Sequence, residues 1–98
     1  MQNPKPPGTP PPHKLDGAQV IEWCYFATPF RTIALDGGKM IACHGAAICR
    51  YDGSDIVYCF TCSIDWDVIV DTDYASIEGA KTMMLGNFGI PAEAWTSA

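Results

Sequence analysis

Lysine and arginine are scarce in this 98-residue chain, six against eleven aspartates and glutamates, and none of them falls between Tyr51 and Ala80. A net charge of −5 argues against direct nucleic-acid binding through a basic face and against an anionic membrane surface. Long apolar runs are also missing. The longest are far shorter than the roughly 20 residues a membrane-spanning helix needs. No basic segment followed by an apolar one stands at the N-terminus, so no secretory leader is expected. The five cysteines, Cys24, Cys43, Cys49, Cys59 and Cys62, then read as reduced thiols of a cytoplasmic protein. No glycine-rich loop is followed by a helix and a Lys-Ser/Thr pair, which leaves out a phosphate-cradling motif.

Six of the eight prolines lie before Gly17. This stretch has few apolar side chains to bury and few backbone donors to pair, which predicts a disordered tail over 1–17 and one domain over 18–98. From Ala18 the chain turns to strand-forming residues: Val20 to Phe26, then Thr32 to Leu35, then Lys39 to His44 after the turn residues Asp36-Gly37-Gly38. Ile48 to Tyr51 and Ile56 to Phe60 flank Asp52-Gly53-Ser54-Asp55, a hairpin signal. On the second of these strands Ile56, Tyr58 and Phe60 share one face, which is expected to be the core face.

Asp65 to Asp73 alternates. Trp66, Val68 and Val70 fall on one side of a predicted strand, and Asp65, Asp67, Ile69, Asp71 and Asp73 on the other. Ser76 then has the character of a helix N-cap, with Glu78 in the first turn. Ile77, Ala80, Met84 and Phe88 share a helical face, and Gly86 and Gly89 end the helix. These elements predict an α+β domain, a four- to five-stranded antiparallel meander packed against one C-terminal helix, with Trp95 folded back on the sheet.

From Tyr58 to Trp95 the aromatic strand residues Tyr58 and Phe60, Trp66, Ser76 before Ala80-Lys81, and the closing Trp95 resemble a pattern in small uncharacterised bacterial α+β proteins. The resemblance is structural and implies no functional residue.

Two groups of side chains bear on function. Cys43, Cys49, Cys59 and Cys62 offer thiolates to zinc, and Cys59 and Cys62 have the spacing of half a zinc knuckle. Strand alternation sets these two on opposite faces, and small buried hydrophobes are the competing reading. The following segment, acidic and strand-like, does not supply the helix N-terminus that a redox pair needs. His13 and His44 are the only histidines, and His44 points away from its neighbour Cys43 on a strand.

The acidic row is the stronger signal. At about 3.4 Å per residue, Asp65 to Asp73 spans roughly 27 Å of exposed sheet. Asp52 and Asp55 add charge from the hairpin loop. Calcium is a poor fit, since the spacing and terminal glutamate of a calcium loop are absent. A plain structural role competes: charge on a strand blocks edge-to-edge pairing. The leading expectation is a non-enzymatic protein-binding module, an inhibitor or antagonist of immunity type or from a phage anti-defence system. Its carboxylates, arrayed somewhat like nucleic-acid phosphates, would meet a basic partner such as a toxin or a nucleic-acid-handling enzyme. Ile69 would serve as an apolar anchor among the charges. A small zinc-binding structural domain and an enzyme remain as alternatives.

Overall fold

The computed structural model describes residues 9–98. Its strands are β1 (Lys14–Leu15), β2 (Ala18–Tyr25), β3 (Arg31–Ala34), β4 (Met40–Cys43), β5 (Gly45–Arg50), β6 (Val57–Cys62), β7 (Val68–Tyr74) and β8 (Thr96–Ser97), with one α-helix, α1 (Ile77–Phe88). The main sheet is antiparallel and runs β1-β2-β5-β6-β7, with β8 on the same edge of β2 as β1. The chain has an α+β fold in which the C-terminal helix packs on a curled antiparallel sheet. Among the described residues, no helix is long and apolar enough to cross a membrane.

The hairpins follow their turn chemistry. Gly53 takes a positive φ of 76° in the loop between β5 and β6, where Ser54 N–H donates to Tyr51 C=O. β3 and β4 form the outer half of a long bent hairpin whose inner half is β2 and β5. Phe26 N–H to His44 C=O and Phe30 N–H to Cys43 C=O keep the pairing going through the bend.

Both faces of the sheet are buried, which corrects the expectation of a single core face on β6. Val57 and Cys59 lie in a cluster with Cys24, Ile48, Ala80, Met84, Ile90 and Trp95 on the helix side. Phe60 and Cys62 lie in a second cluster with Leu15, Val20, Cys49 and Trp66 on the other. β6 is an interior strand: α1 and the C-terminal segment close one face, and the N-terminal segment and Trp66 close the other. Ile56, expected inside with Tyr58 and Phe60, is exposed at the end of the loop.

Residues 1–8 of the expected disordered tail lie outside the described residues. Residues 9–17 pack against the sheet. Asp16 and Gly17, both at positive φ, form a tight turn that folds Lys14 and Leu15 back on Gln19 and Ala18, and Leu15 is buried. Val20 N–H donates to His13 C=O, and the indole Nε1–H of Trp66 donates to Thr9 C=O at 3.0 Å. Prolines without amide donors are no obstacle there, because rigid apolar rings bordering Trp23 and Val20 need none.

The helix forms as its sequence directs. Ser76 Oγ accepts the Gly79 N–H at 3.0 Å, Ile77, Ala80, Met84 and Phe88 face the core, and Gly89 closes the helix at φ 71°. Trp95 is buried in the same cluster.

Candidate functional site

β2 and β7 are the long edge strands of the main sheet, and they are treated differently. The outer side of β2 is covered in two places, by β1 at Ala18 and Gln19 and by β8 at Glu22 and Trp23. Among the described residues β7 pairs only with β6, so no strand takes up its outer backbone groups. The carboxylates cluster along this uncovered edge.

Asp71 stands opposite Phe60 and Asp73 opposite Tyr58, and both aspartates are exposed. Alternation sends them to the face away from α1, while Thr72, paired with Cys59, and Tyr74, paired with Val57, point to the helix side. Asp52 and Asp55 are exposed in the loop that joins β5 to β6, beside the Val57–Tyr74 end of the edge. The aromatic rings of Tyr51 and Tyr58 meet edge-to-face at 5.3 Å next to this group, and the Tyr51 hydroxyl donates to Asp16 C=O at 2.9 Å. Tyr51 and Tyr58 were not singled out from sequence as contact residues. Their signal was available: tyrosine next to an exposed carboxylate on adjoining strands is a common make-up of a contact patch.

The straight row of five side chains expected from Asp65 to Asp73 does not form. Asp65 and Asp67 lie on a turn, closed by Ser63 N–H to Asp67 C=O at 2.9 Å and Trp66 N–H to Ser63 C=O at 3.0 Å. Ser63 Oγ accepts the backbone N–H groups of Asp65 and Asp67, both at 3.2 Å, and donates to an Asp67 carboxylate oxygen. A bulge then interrupts the ladder, since Val70 pairs with Thr61 but Val68 pairs with the next residue, Cys62. The extra residue is Ile69, expected as an apolar anchor among the charges, and it is half-buried. Val68 and Val70 consequently lie on opposite faces rather than sharing one with Trp66. The acids still occupy the length of the edge, with Asp65 and Asp67 at one end, Asp71 and Asp73 along the strand, and Asp52 and Asp55 at the other end.

None of these six carboxylates has an ion-pair partner among the described residues. The one salt bridge there, Lys81 Nζ to Glu22 at 2.7 Å, joins α1 to β2.

The four cysteines considered for zinc are not brought together. Cys59 belongs to the helix-side cluster, and Cys49 and Cys62 to the opposite one. Cys49 is opposite Tyr58 and Cys62 opposite Gly45, four positions apart along the strands, or about 13 Å. No group of three or more metal-ligating side chains occurs among the described residues. All five thiols are free and buried. Burial pushes those of Cys24, Cys49 and Cys59 up to about 12, and raises those of Cys43 and Cys62 as well, which favours the neutral thiol. His44 Nδ1 lies 2.9 Å from Phe26 C=O, and its ring stacks on Tyr25.

Comparison with protein-family models, curated proteins and solved structures finds no match for this chain.

Proposed function

We propose that this chain is a non-enzymatic protein-binding module that holds a basic partner against the β7 edge and acts as an inhibitor or antagonist of that partner. The observation that carries the reading is the edge of β7, unpaired among the described residues, with six carboxylates that have no ion-pair partner there, set in a sheet whose opposite edge is covered by β1 and β8. A basic surface gains complementary charge there, which speeds encounter and fixes orientation. The partly exposed rings of Tyr51 and Tyr58 give the contact an apolar part that charge alone lacks. The turn at Ser63–Asp67 and the bulge at Ile69 break the regular spacing, so the patch suits a folded basic protein better than a site built to receive a uniform phosphate backbone.

The test compares two charge reversals of equal size. Asp71→Lys with Asp73→Lys alters the edge, and Asp36→Lys with Glu93→Lys alters exposed acids elsewhere. Immobilised full-length chain should retain a basic protein in the control pair and lose it in the edge pair. Equal retention by both would count against the edge.

A further inference from the structure

On the helix side of the sheet, a cavity of about 250 Å³ opens between α1 and strands β3, β6 and β7. Its apolar wall is made by Met84, which is buried, Phe88 and the more exposed Met83. Five polar side chains from four elements border it: Arg31 from β3, Thr61 from β6, Thr72 and Tyr74 from β7, and Asn87 from α1.

Two of these groups are incomplete. Thr61 is only 3% exposed, and the partner within reach of its hydroxyl is the Cys43 thiol, a weak hydrogen-bonding group. A buried hydroxyl left with so weak a partner is costly, because it has given up water for little in exchange. Arg31 stacks its guanidinium 4.9 Å from the centre of the Phe88 ring and has no ion-pair partner among the described residues. In a chain with nearly twice as many acids as bases, a half-buried cation without a carboxylate partner is notable. No aspartate or glutamate borders the cavity, since Asp71 and Asp73 point to the other face of β7.

The donor-rich, carboxylate-free set beside an apolar wall suits an anion with a hydrophobic body. We propose that the cavity binds a short-chain organic monocarboxylate, its head group on Arg31, its body along Met84 and Phe88, and the Thr61 hydroxyl donating to it. Arginine matches this role because its planar fork meets a carboxylate with two parallel N–H groups. The site is smaller than the roughly 300 Å³ at which drug-sized pockets begin, in keeping with a small ligand. It opens on the helix side of β7, the face opposite Asp71 and Asp73, and does not rest on the partner proposed for that edge.

The full-length chain, labelled at its methionine methyl groups, is titrated with hexanoate and separately with hexanol. Hexanoate should shift the Met84 methyl signal saturably and leave that of Met40, on the outer hairpin, in place. Hexanol, which keeps the body and lacks the charge, should bind about tenfold or more weakly. Arg31→Gln should weaken hexanoate to a similar degree. Thr61→Val should raise the stability of the free chain while weakening hexanoate, an opposition that a packing role does not produce. No saturable shift at Met84, an equal response to hexanol, or an equal shift at Met40 would each overturn the proposal, and the first two need no variant to fold.

Discussion

The ring of Trp66 lies directly over Gly45. A β-carbon added at residue 45 would come within 2.6 Å of the indole Cζ3 and 2.8 Å of Cη2. Trp66 itself has φ 67°, a left-handed conformation that bulky residues rarely take. The glycine gives the indole room, the indole fills the second core cluster, and the turn from Ser63 to Asp67 is held at the end of the acidic edge.

Gly45→Ala should therefore destabilise the chain by about 1–3 kcal/mol, the usual range for overpacking a filled interior. Because Trp66 reports on its own surroundings, urea unfolding followed by tryptophan fluorescence is the suitable measurement. A midpoint unchanged from the native chain would show that the ring can move aside.

Ser76→Ala removes the acceptor of the Gly79 N–H. The loss should be about 1 kcal/mol, as for other N-caps. Ser76→Asp should restore most of it, since a carboxylate both caps the helix and favours its positive end. The same unfolding titration checks both variants, and an alanine variant as stable as the native chain would mean that packing alone holds the helix.

The buried thiols give a pH dependence whose sign is set by their raised values. Burial keeps each thiol protonated in the folded chain, whereas the unfolded chain ionises near the ordinary value of 9.0. Their stabilising contribution is fully present below about pH 9 and is lost as the pH rises towards 12. Tyr74, whose hydroxyl is also shifted upwards by burial, acts in the same direction. Urea midpoints should be level from pH 7 to 8 and fall steadily above about pH 9. A thiol reagent at pH 8 should react with the folded chain far more slowly than with the unfolded one. Fast reaction of the native protein would contradict the burial of all five cysteines.

Local chemistry made much of this fold legible in advance. Asp52-Gly53 marks the β5–β6 hairpin, and Ser76 with Ile77, Ala80, Met84 and Phe88 marks a capped amphipathic helix, because each signal lies within a few residues of the structure it directs. The acidic strand was less legible. Asp65-Trp66-Asp67 alternates like a strand and contains no glycine or proline, yet Ser63 Oγ gathers two backbone donors into a turn and the space above Gly45 draws Trp66 inwards. That space belongs to another strand, so no local pattern reveals it. The segment 9–17 departs from the expected tail for a related reason. Its composition predicts a free tail, but Asp16-Gly17 is a hairpin signal, and the surface it folds onto is supplied by Val20, Trp23 and Trp66.

The site was legible in part. Asp71 and Asp73 project from β7 as the alternation predicts, whereas the bulge at Ile69 turns Val68 and Val70 to opposite faces. Nothing in the local sequence marks that bulge. That β7 is an uncovered edge depends on the order of strands, which local periodicity does not encode.

Hydrogen exchange on the full-length chain, with and without a basic protein retained by the immobilised chain, tests the proposed docking edge most directly. Backbone amides on the open side of β7 exchange freely when nothing covers them, and a bound partner slows them. Protection should appear over Val68–Tyr74 and the loop carrying Asp52 and Asp55, with the β3–β4 hairpin unchanged. Protection confined to that hairpin or to the outer face of α1, with β7 exchanging as in the free chain, would place the partner elsewhere and contradict the account.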